Sequence, residues 1–468
     1  MSGGSGTVSG AGGTARHRWL ALAAMCVALS IVVIDNTILA VAIPEIAKGL
    51  NADESALQWI STSYGLVLAG LLLPLAVIGD RRGRKGFLLI GLVLLGAGSC
   101  AAAFAGSALV LALARGVMGV GGACTMPATL SLIGNIFDEG ERGRAIAVWA
   151  ATAGFAAAAG PIAGGLLLSQ FWWGSVFLVN VPMAVIAIVM VCWLVPTSRD
   201  PGAPPVDRIS ALRWWGALTA ALVAIIEGPQ RGWTSPLVIG AAVLSVALLL
   251  LFGRREQRSP NPLIPPGTAR DPRLRWGAAT VFAIFFALMG VQFVVTQWLQ
   301  GPLDYSPLGA SVYFVPNALA SVVAASMNPR AVARFGHGVV ATTSLWVLGG
   351  GALLAGAGVA VESVGVVVLG GLLIGAALGI GSASAIELIM SSAPPERAGS
   401  AAGVNETLVE AAGALGIAVL GSVFAATGSY AWPLPVAAVI AGLVAIGVRR
   451  VLVTRPRASS GSPIAPPA

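Results

Sequence analysis

Fourteen stretches of roughly 17 to 25 apolar residues, each long enough to cross a bilayer as a helix, follow one another along this chain at close spacing. They occupy residues 19–42, 56–78, 86–105, 107–136, 145–168, 174–196, 214–230, 234–252, 275–299, 306–327, 338–360, 364–390, 399–425 and 432–452. In hydrocarbon every backbone polar group has to be satisfied within the protein, which restricts such spans to helices. The expected fold is therefore all-α and integral to a membrane: two six-helix bundles plus two inserted helices. Composition decides against a soluble alternative, because only 10% of the 468 residues are charged, where a soluble domain carries about 25%. The span at 214–230 has the shortest uninterrupted core, because Glu227, Gly228 and Pro229 cut into it.

The basic residues test the count. Cytoplasmic loops of membrane proteins collect Lys and Arg. With the N-terminus cytoplasmic, all but Lys48, Arg115 and Arg231 of the 27 Lys and Arg fall in cytoplasmic segments. Thirteen spans would put Arg449, Arg450, Arg455 and Arg457 on the wrong side, and twelve would require 236–252 not to span. Both termini are therefore expected in the cytoplasm, with the chain in the cell membrane. The net charge of +8 sits in short inter-span loops, which argues for topology and against nucleic acid as a partner. Cys26, Cys100, Cys124 and Cys192 all lie within apolar spans, with no disulfide framework and no metal-ligand spacing. No phosphate-binding Gly-rich loop of the Walker type is present, so ATP does not drive the chain in cis. No catalytic residue is assigned and no enzyme activity or cofactor is expected.

The layout that follows is a disordered N-terminus (1–15), an N-terminal bundle (16–196) and a cytoplasmic linker (197–213). Two inserted helices (214–252), a second linker (253–274), a C-terminal bundle (275–452) and a flexible tail (453–468) complete it.

Charges inside spans are expensive, about 2.5 to 3.5 kcal/mol each at a helix centre on insertion scales, and usually face a cavity. Glu406 and Glu410 are four residues apart in the thirteenth span, so both carboxylates share one helix face. Two acids on one face point to a site for cations, protons included. Asp35 lies sixteen residues past Trp19, about 24 Å along the helix, in the outer half of the bilayer. Arg115, within Leu111-x-x-x-Arg115-x-x-x-Gly119, must meet a carboxylate, carbonyls or water. Glu387, seven residues before Pro394, is either a third cavity acid or the partner of Arg115 or a loop arginine. Glu227 reads best as a residue at the membrane–water interface. His17 and His337 lie in loops, so carboxylates must carry any proton.

Several motifs resemble one family. The loop after the second span reads Gly79-Asp80-Arg81-Arg82-Gly83-Arg84-Lys85, with an echo, Arg334-Phe335-Gly336-His337, in the second half. The fifth span carries Gly154 and then Gly160-Pro161-Ile162-Ala163-Gly164-Gly165, a seam of small residues with a helix-kinking proline. Together with Ile34-Asp35-Asn36-Thr37-Ile38 and the segment from Arg397 to Asn405, these resemble the fourteen-helix drug:proton antiporters of the major facilitator superfamily. The resemblance covers residues 19–452. It implies that Asp80, Arg81, Gly83 and Arg84 form a latch between helices that breaks and re-forms as the bundles rock. It also implies that Arg115 serves proton coupling and that Gly154, Gly160, Pro161 and Gly164 form the motif that marks exporters. Acids at both 406 and 410 resemble the QacA-like exporters of quaternary ammonium compounds. Ala76 stands where the loop signature usually has glycine, and Thr62 and Ser321 stand where that group carries further acids.

The expected function is a monomeric, proton-coupled multidrug efflux antiporter that exports lipophilic organic cations by alternating access, powered by the proton gradient. Asp35, Glu406, Glu410, Glu387 and Arg115 are its candidate substrate and proton residues. Tyr64, Gln292, Gln297, Trp298, Phe314 and Asn317 are candidate wall residues, since aromatic faces attract quaternary ammonium groups. A narrow exporter of one antibiotic is the alternative, and a non-transporting membrane sensor a remote one.

Overall fold

The computed structural model describes residues 15–199, 207–259, 271–392 and 398–453. Among them, fourteen helices are long and apolar enough to cross a membrane. They are α1 (Ala15–Leu50), α2 (Glu54–Arg82), α3 (Arg84–Ala103), α4 (Ala108–Ile136) and α5 (Glu139–Gln170), then α6 (Ser175–Leu194). Next come α7 (Arg208–Arg231), α8 (Pro236–Glu256) and α9 (Pro272–Gln300), and α10 (Pro307–Phe335). The last four are α11 (His337–Ala360), α12 (Val364–Met390), α13 (Ala398–Thr427) and α14 (Pro433–Val453). Val179 interrupts α6, Tyr313 interrupts α10, and the final turn of α14 is a π-helix.

Every expected span is present, but many helices outrun their apolar stretch, because caps and ion pairs satisfy the extra turns. The expected linker 197–213 is shorter than composition implied. Asp207 Oδ1 accepts the backbone N–H groups of Ile209 and Ser210, which starts α7 at Arg208. At its far end Arg231 Nε donates to Glu227 Oε2 at 2.6 Å, and the helix runs through Gly228 and Pro229. The second linker, 253–274, shrinks likewise: α8 continues to Glu256, and Asp271 caps α9 by accepting from Arg273 N. The helices that carry the inserted spans run Arg208–Arg231 and Pro236–Glu256. The expected disordered N-terminus and flexible tail lie outside the described residues apart from Ala15 and Val453, as do Arg397 and Pro394.

The chain divides into two units, residues 1–211 with 306–311 and residues 212–305 with 312–468. The inserted helices sort with the second. In the first unit α1 packs on α4, α5 and α6, α2 packs on α4, and α3 packs on α4 and α6. In the second, α9 packs on α12, α13 and α14, α10 on α12, and α11 on α12 and α14. The two schemes coincide after a shift of eight helices, which is the internal repeat of secondary transporters. The turns repeat as well. Gly83 between α2 and α3 has φ +132° and Gly336 between α10 and α11 has φ +79°, values that disfavour any residue with a Cβ.

Within each unit, small residues bring helices into contact. A Cβ on Gly121 would meet Gly91 O at 2.7 Å, joining α4 to α3. A Cβ on Gly290 would meet Gly416 O at 2.6 Å, joining α9 to α13. Such close approach is how membrane helices associate, since lipid supplies no hydrophobic drive between them. Large apolar side chains point outward instead, Phe155 and Leu166 on α5 and Val243 and Leu250 on α8 among them.

Candidate functional site

Three clusters of polar side chains stand out, two in the first unit and one in the second. The deepest is built from five helices. Asp35 on α1 and Arg115 on α4 both have 0% exposure, and Arg115 Nη1 donates to Asp35 Oδ2 at 2.7 Å. Arg115 Nε donates to the Ile60 carbonyl of α2 at 3.1 Å, and the guanidinium lies 5.0 Å from the centre of the Tyr64 ring. The other carboxylate oxygen, Asp35 Oδ1, accepts from Asn180 Nδ2 of α6 at 2.9 Å. The same nitrogen donates to Ser99 Oγ of α3 at 3.2 Å. Tyr64, Ser99 and Asn180 are as fully buried as the ion pair. A guanidinium suits this place, because its fixed fork of donors serves a carboxylate and a carbonyl at once while staying charged.

Arg115 thus meets two of the partner types the sequence left open, a carboxylate and a carbonyl. The option of pairing Arg115 with Glu387 is overturned, since Asp35 holds the guanidinium and Glu387 is exposed on α12. Tyr64, one of the wall candidates, lies under the guanidinium at 0% exposure. Sequence reasoning missed Asn180 and Ser99. An amide inside the otherwise apolar 174–196 span was the available signal.

The small-residue seam of α5 bears directly on this cluster. A Cβ on Gly160 would collide with Thr37 and Ile38 of α1, and one on Gly164 would lie 2.8 Å from Ile38 Cγ1. Those residues follow Asp35 by two and three positions. Thr37 Oγ1 donates back to Val33 O and Ile34 O at 3.0 and 3.2 Å, a bond of the kind that bends helices. Pro161 lies within α5 next to this contact. Gly154 does not join the seam: it is exposed, and open space lies beyond it.

The second cluster is the turn from α2 to α3. Arg84 Nε donates to Asp80 Oδ1 at 2.5 Å, across the break at Gly83. Arg84 Nη1 donates to Ser198 Oγ at 3.0 Å, and its backbone N–H to Ser198 O at 2.9 Å. Asn135 Nδ2, at the end of α4, donates to the same Ser198 Oγ at 3.0 Å. Lys85 Nζ reaches the Cys192 carbonyl at 2.8 Å. The turn is therefore tied to the end of α6 and the residues after it. Arg81 is exposed and outside these bonds' reach.

The third cluster is on α13. Leu408 and Val409 pack against Leu274 and Val281 of α9 and Ala385 and Ile389 of α12. Glu406 and Glu410 lie about a quarter turn or more round the helix from that packed face, and both are partly buried. Asn405 Nδ2 lies 3.4 Å from Glu406 Oε1, a long contact. No Lys or Arg occurs anywhere in α13. Of the other wall candidates, Trp298, Phe314 and Asn317 are buried at 2%, 6% and 8%, and Asn317 Nδ2 donates to the Gly371 carbonyl. Gln292 and Gln297 are partly buried on α9.

With these clusters in place, comparison with known proteins is informative. Residues 25–417 match the profile described as Major Facilitator Superfamily. The chain is 35% identical over 420 residues to the multidrug efflux pump LfrA of Mycolicibacterium smegmatis, across 88% of this chain and 82% of that protein. It is 31% identical to the tetracenomycin C resistance and export protein of Streptomyces glaucescens, across 89% of this chain and 77% of that one. It is 33% identical to the methyl viologen resistance protein SmvA of Salmonella typhimurium, across 86% and 82%.

Proposed function

This chain belongs to the Major Facilitator Superfamily, and from that premise we propose that it is a proton-coupled antiporter exporting lipophilic organic cations from the cell. Its relatives are multidrug and antibiotic efflux pumps, and the chain is a multi-pass membrane protein with fourteen apolar helices. Both termini lie in the cytoplasm of the proposed arrangement, which puts the Asp80 turn on the cytoplasmic side.

The observation that carries the cation reading is the acid pair on α13. From Ala398, Glu406 is about 12 Å and Glu410 about 18 Å along the helix at 1.5 Å per residue, so Glu410 is near the bilayer midplane, where transporters of this kind bind cargo. A cationic cargo stabilises the two carboxylates in ionised form and displaces their protons. Protons entering from outside neutralise them again, which weakens the attraction and releases the cargo. In the first unit Asp35 exchanges a proton while Arg115 keeps a fixed positive charge beside it, so the cluster alternates between neutral and singly positive. The Gly160–Gly164 seam transmits that change to α5 through its contact with the residues after Asp35. The Asp80–Arg84 pair holds the turn in one state and parts in the other. The kinship with a methyl viologen resistance protein supports the cation reading, since methyl viologen is a bis-quaternary cation.

Kinship with a tetracenomycin C exporter favours a second reading, an exporter narrow for one uncharged or anionic antibiotic. One experiment separates them and tests the drive. Inside-out vesicles energised by respiration should accumulate ethidium and quaternary ammoniums and release them when an uncoupler is added. Uptake that survives collapse of the proton gradient would remove proton coupling, and uptake of uncharged antibiotics alone would favour the narrow exporter.

A further inference from the structure

The deepest cluster contains a residue whose chemistry fits a second job. We propose that Asn180 is a positioning residue that serves both protonation states of Asp35, an inference that rests on the proton-coupled reading above. Asp35 Oδ2 is held by Arg115 and Oδ1 by Asn180 Nδ2. Both contacts present donors, so both fit the ionised carboxylate, which can only accept. The amide's orientation is fixed by its two acceptors, since Nδ2 reaches Asp35 Oδ1 and Ser99 Oγ together. Its other end is unused: Asn180 Oδ1 is buried with no protein partner, as is Arg115 Nη2.

When a proton arrives on Asp35 Oδ1, that oxygen becomes a donor and needs an acceptor. An Asn180 Nδ2 left facing it would set two donors against each other in a fully buried place. A half-turn of the amide about its Cβ–Cγ bond replaces Nδ2 with Oδ1, which then accepts the new O–H and the Ser99 hydroxyl, while Nδ2 moves to the place where Oδ1 has no protein partner, a cost set against the clash it relieves. Arg115 keeps both its charge and its contact with Oδ2, so one proton is gained and no other bond to the carboxylate is lost. Loss of the proton reverses the turn. Lysine or arginine at 180 would serve only the ionised form, and an apolar residue would serve neither.

The charged and titratable groups at Asp35 are Arg115 from α4 and, beneath its guanidinium, Tyr64 from α2. From α3 the cluster receives Ser99, from α6 Asn180, and from α5 the glycine seam, none of which titrates. Of the two side chains bonded to Asp35, Arg115 can only donate, so Asn180 is the one able to change partner role when Asp35 changes charge.

The test compares an isosteric pair, Asn180→Thr and Asn180→Val, in the purified full-length protein. A threonine hydroxyl can donate to a carboxylate and accept from a carboxylic acid, while valine has the same shape and can do neither. Proton release on adding ethidium is read in weak buffer with a pH indicator, and ethidium–ethidium exchange in proteoliposomes is read beside it. We expect Asn180→Thr to release protons at near the wild-type yield. Asn180→Val should lose the Asp35 share of the released protons while the share from Glu406 and Glu410 remains, and gradient-driven efflux should fall by about ten-fold or more, the scale of a buried polar group left unmatched, with exchange within about two-fold of Asn180→Thr. Equal behaviour of the two variants in proton release would overturn the assignment, and so would equal losses of release and exchange in Asn180→Val. If either variant fails to give a monodisperse protein, Asn180→Ser and Asn180→Ala repeat the comparison with the same deciding outcomes. Wild-type protein that releases no proton on ethidium binding would remove the proton-coupled reading itself, and the role of Asn180 with it.

Discussion

The two halves of this protein share one packing scheme but set their membrane acids on different kinds of helix. In the first, the buried acid Asp35 is matched by Arg115, both at 0% exposure. In the second, Glu406 and Glu410 sit partly buried on a helix with no basic residue. The turns diverge in the same sense. Gly83 and Gly336 take corresponding positive-φ positions, yet the places of Asp80 and Arg84 are held in the second half by Ala333 and His337. A repeated fold thus carries two different arrangements of acids. An acid matched by a fixed cation can gain a proton without a cargo present. Acids on a helix without a cation of its own are suited to a cation brought in from outside.

The sharpest way to break this comparison is Glu410→Gln, which keeps the shape and removes the charge. It should abolish efflux of divalent organic cations and severely weaken that of monovalent ones. The expected loss is about 2–5 kcal/mol of cation affinity, the range for removing one partner of a buried charge pair. Glu406→Gln should do less, since Glu406 is nearer the cytoplasmic end of α13. Wild-type dye and quaternary-ammonium resistance in Glu410→Gln cells at equal expression would refute the cation site.

Arg115→Met tests the other side. It leaves Asp35 as an uncompensated buried acid, at a cost of about 3–5 kcal/mol, visible as a lower midpoint in thermal melting of the purified protein. Asp35→Asn added to Arg115→Met should recover part of that stability and none of the proton coupling. Equal melting of single and double variants would show that the two side chains do not act as a pair.

The turns sharpen the contrast at smaller scale. A residue with a Cβ at Gly83 or Gly336 would sit in a sparsely populated positive-φ region at a cost on the order of 1–3 kcal/mol, and an added Cβ meets nothing within 4 Å at either position, so Gly83→Ala and Gly336→Ala should lose similar stability. Only Gly83→Ala should also slow efflux, because only that turn carries the Asp80–Arg84 pair. Matching efflux rates in the two variants would mean that the latch is not confined to the first half. The mildest change is Asp80→Asn, expected to slow efflux several-fold while equilibrium binding of a fluorescent cation stays close to wild type. A large loss of affinity at normal turnover would show that Asp80 acts at the cargo instead.

Much of the fold was legible because its cause is local. Each span announces itself by its own hydropathy, and the basic loops count the spans without reference to any contact. Helix ends were less legible, since α7 begins where Asp207 can cap it and passes Pro229 with the help of the Glu227–Arg231 pair. Candidate acids were visible because charge inside a span is costly enough to be conspicuous. Wall residues were less legible, because an aromatic ring or amide such as Trp298, Phe314 or Asn317 looks the same in sequence whether it faces a cavity or a neighbouring helix.

The sequence by itself determined that this chain is a fourteen-helix membrane protein with a repeated plan, and it marked Asp35, Arg115, Glu406 and Glu410 as its costly residues. Only the tertiary structure decided which of them meet. Arg115 finds Asp35 eighty residues away, and Asn180 reaches the same carboxylate across 145 residues. The physical reason is that insertion into lipid is decided span by span. The partner of a buried charge depends instead on the rotation and depth of several helices, which only their packing against one another sets.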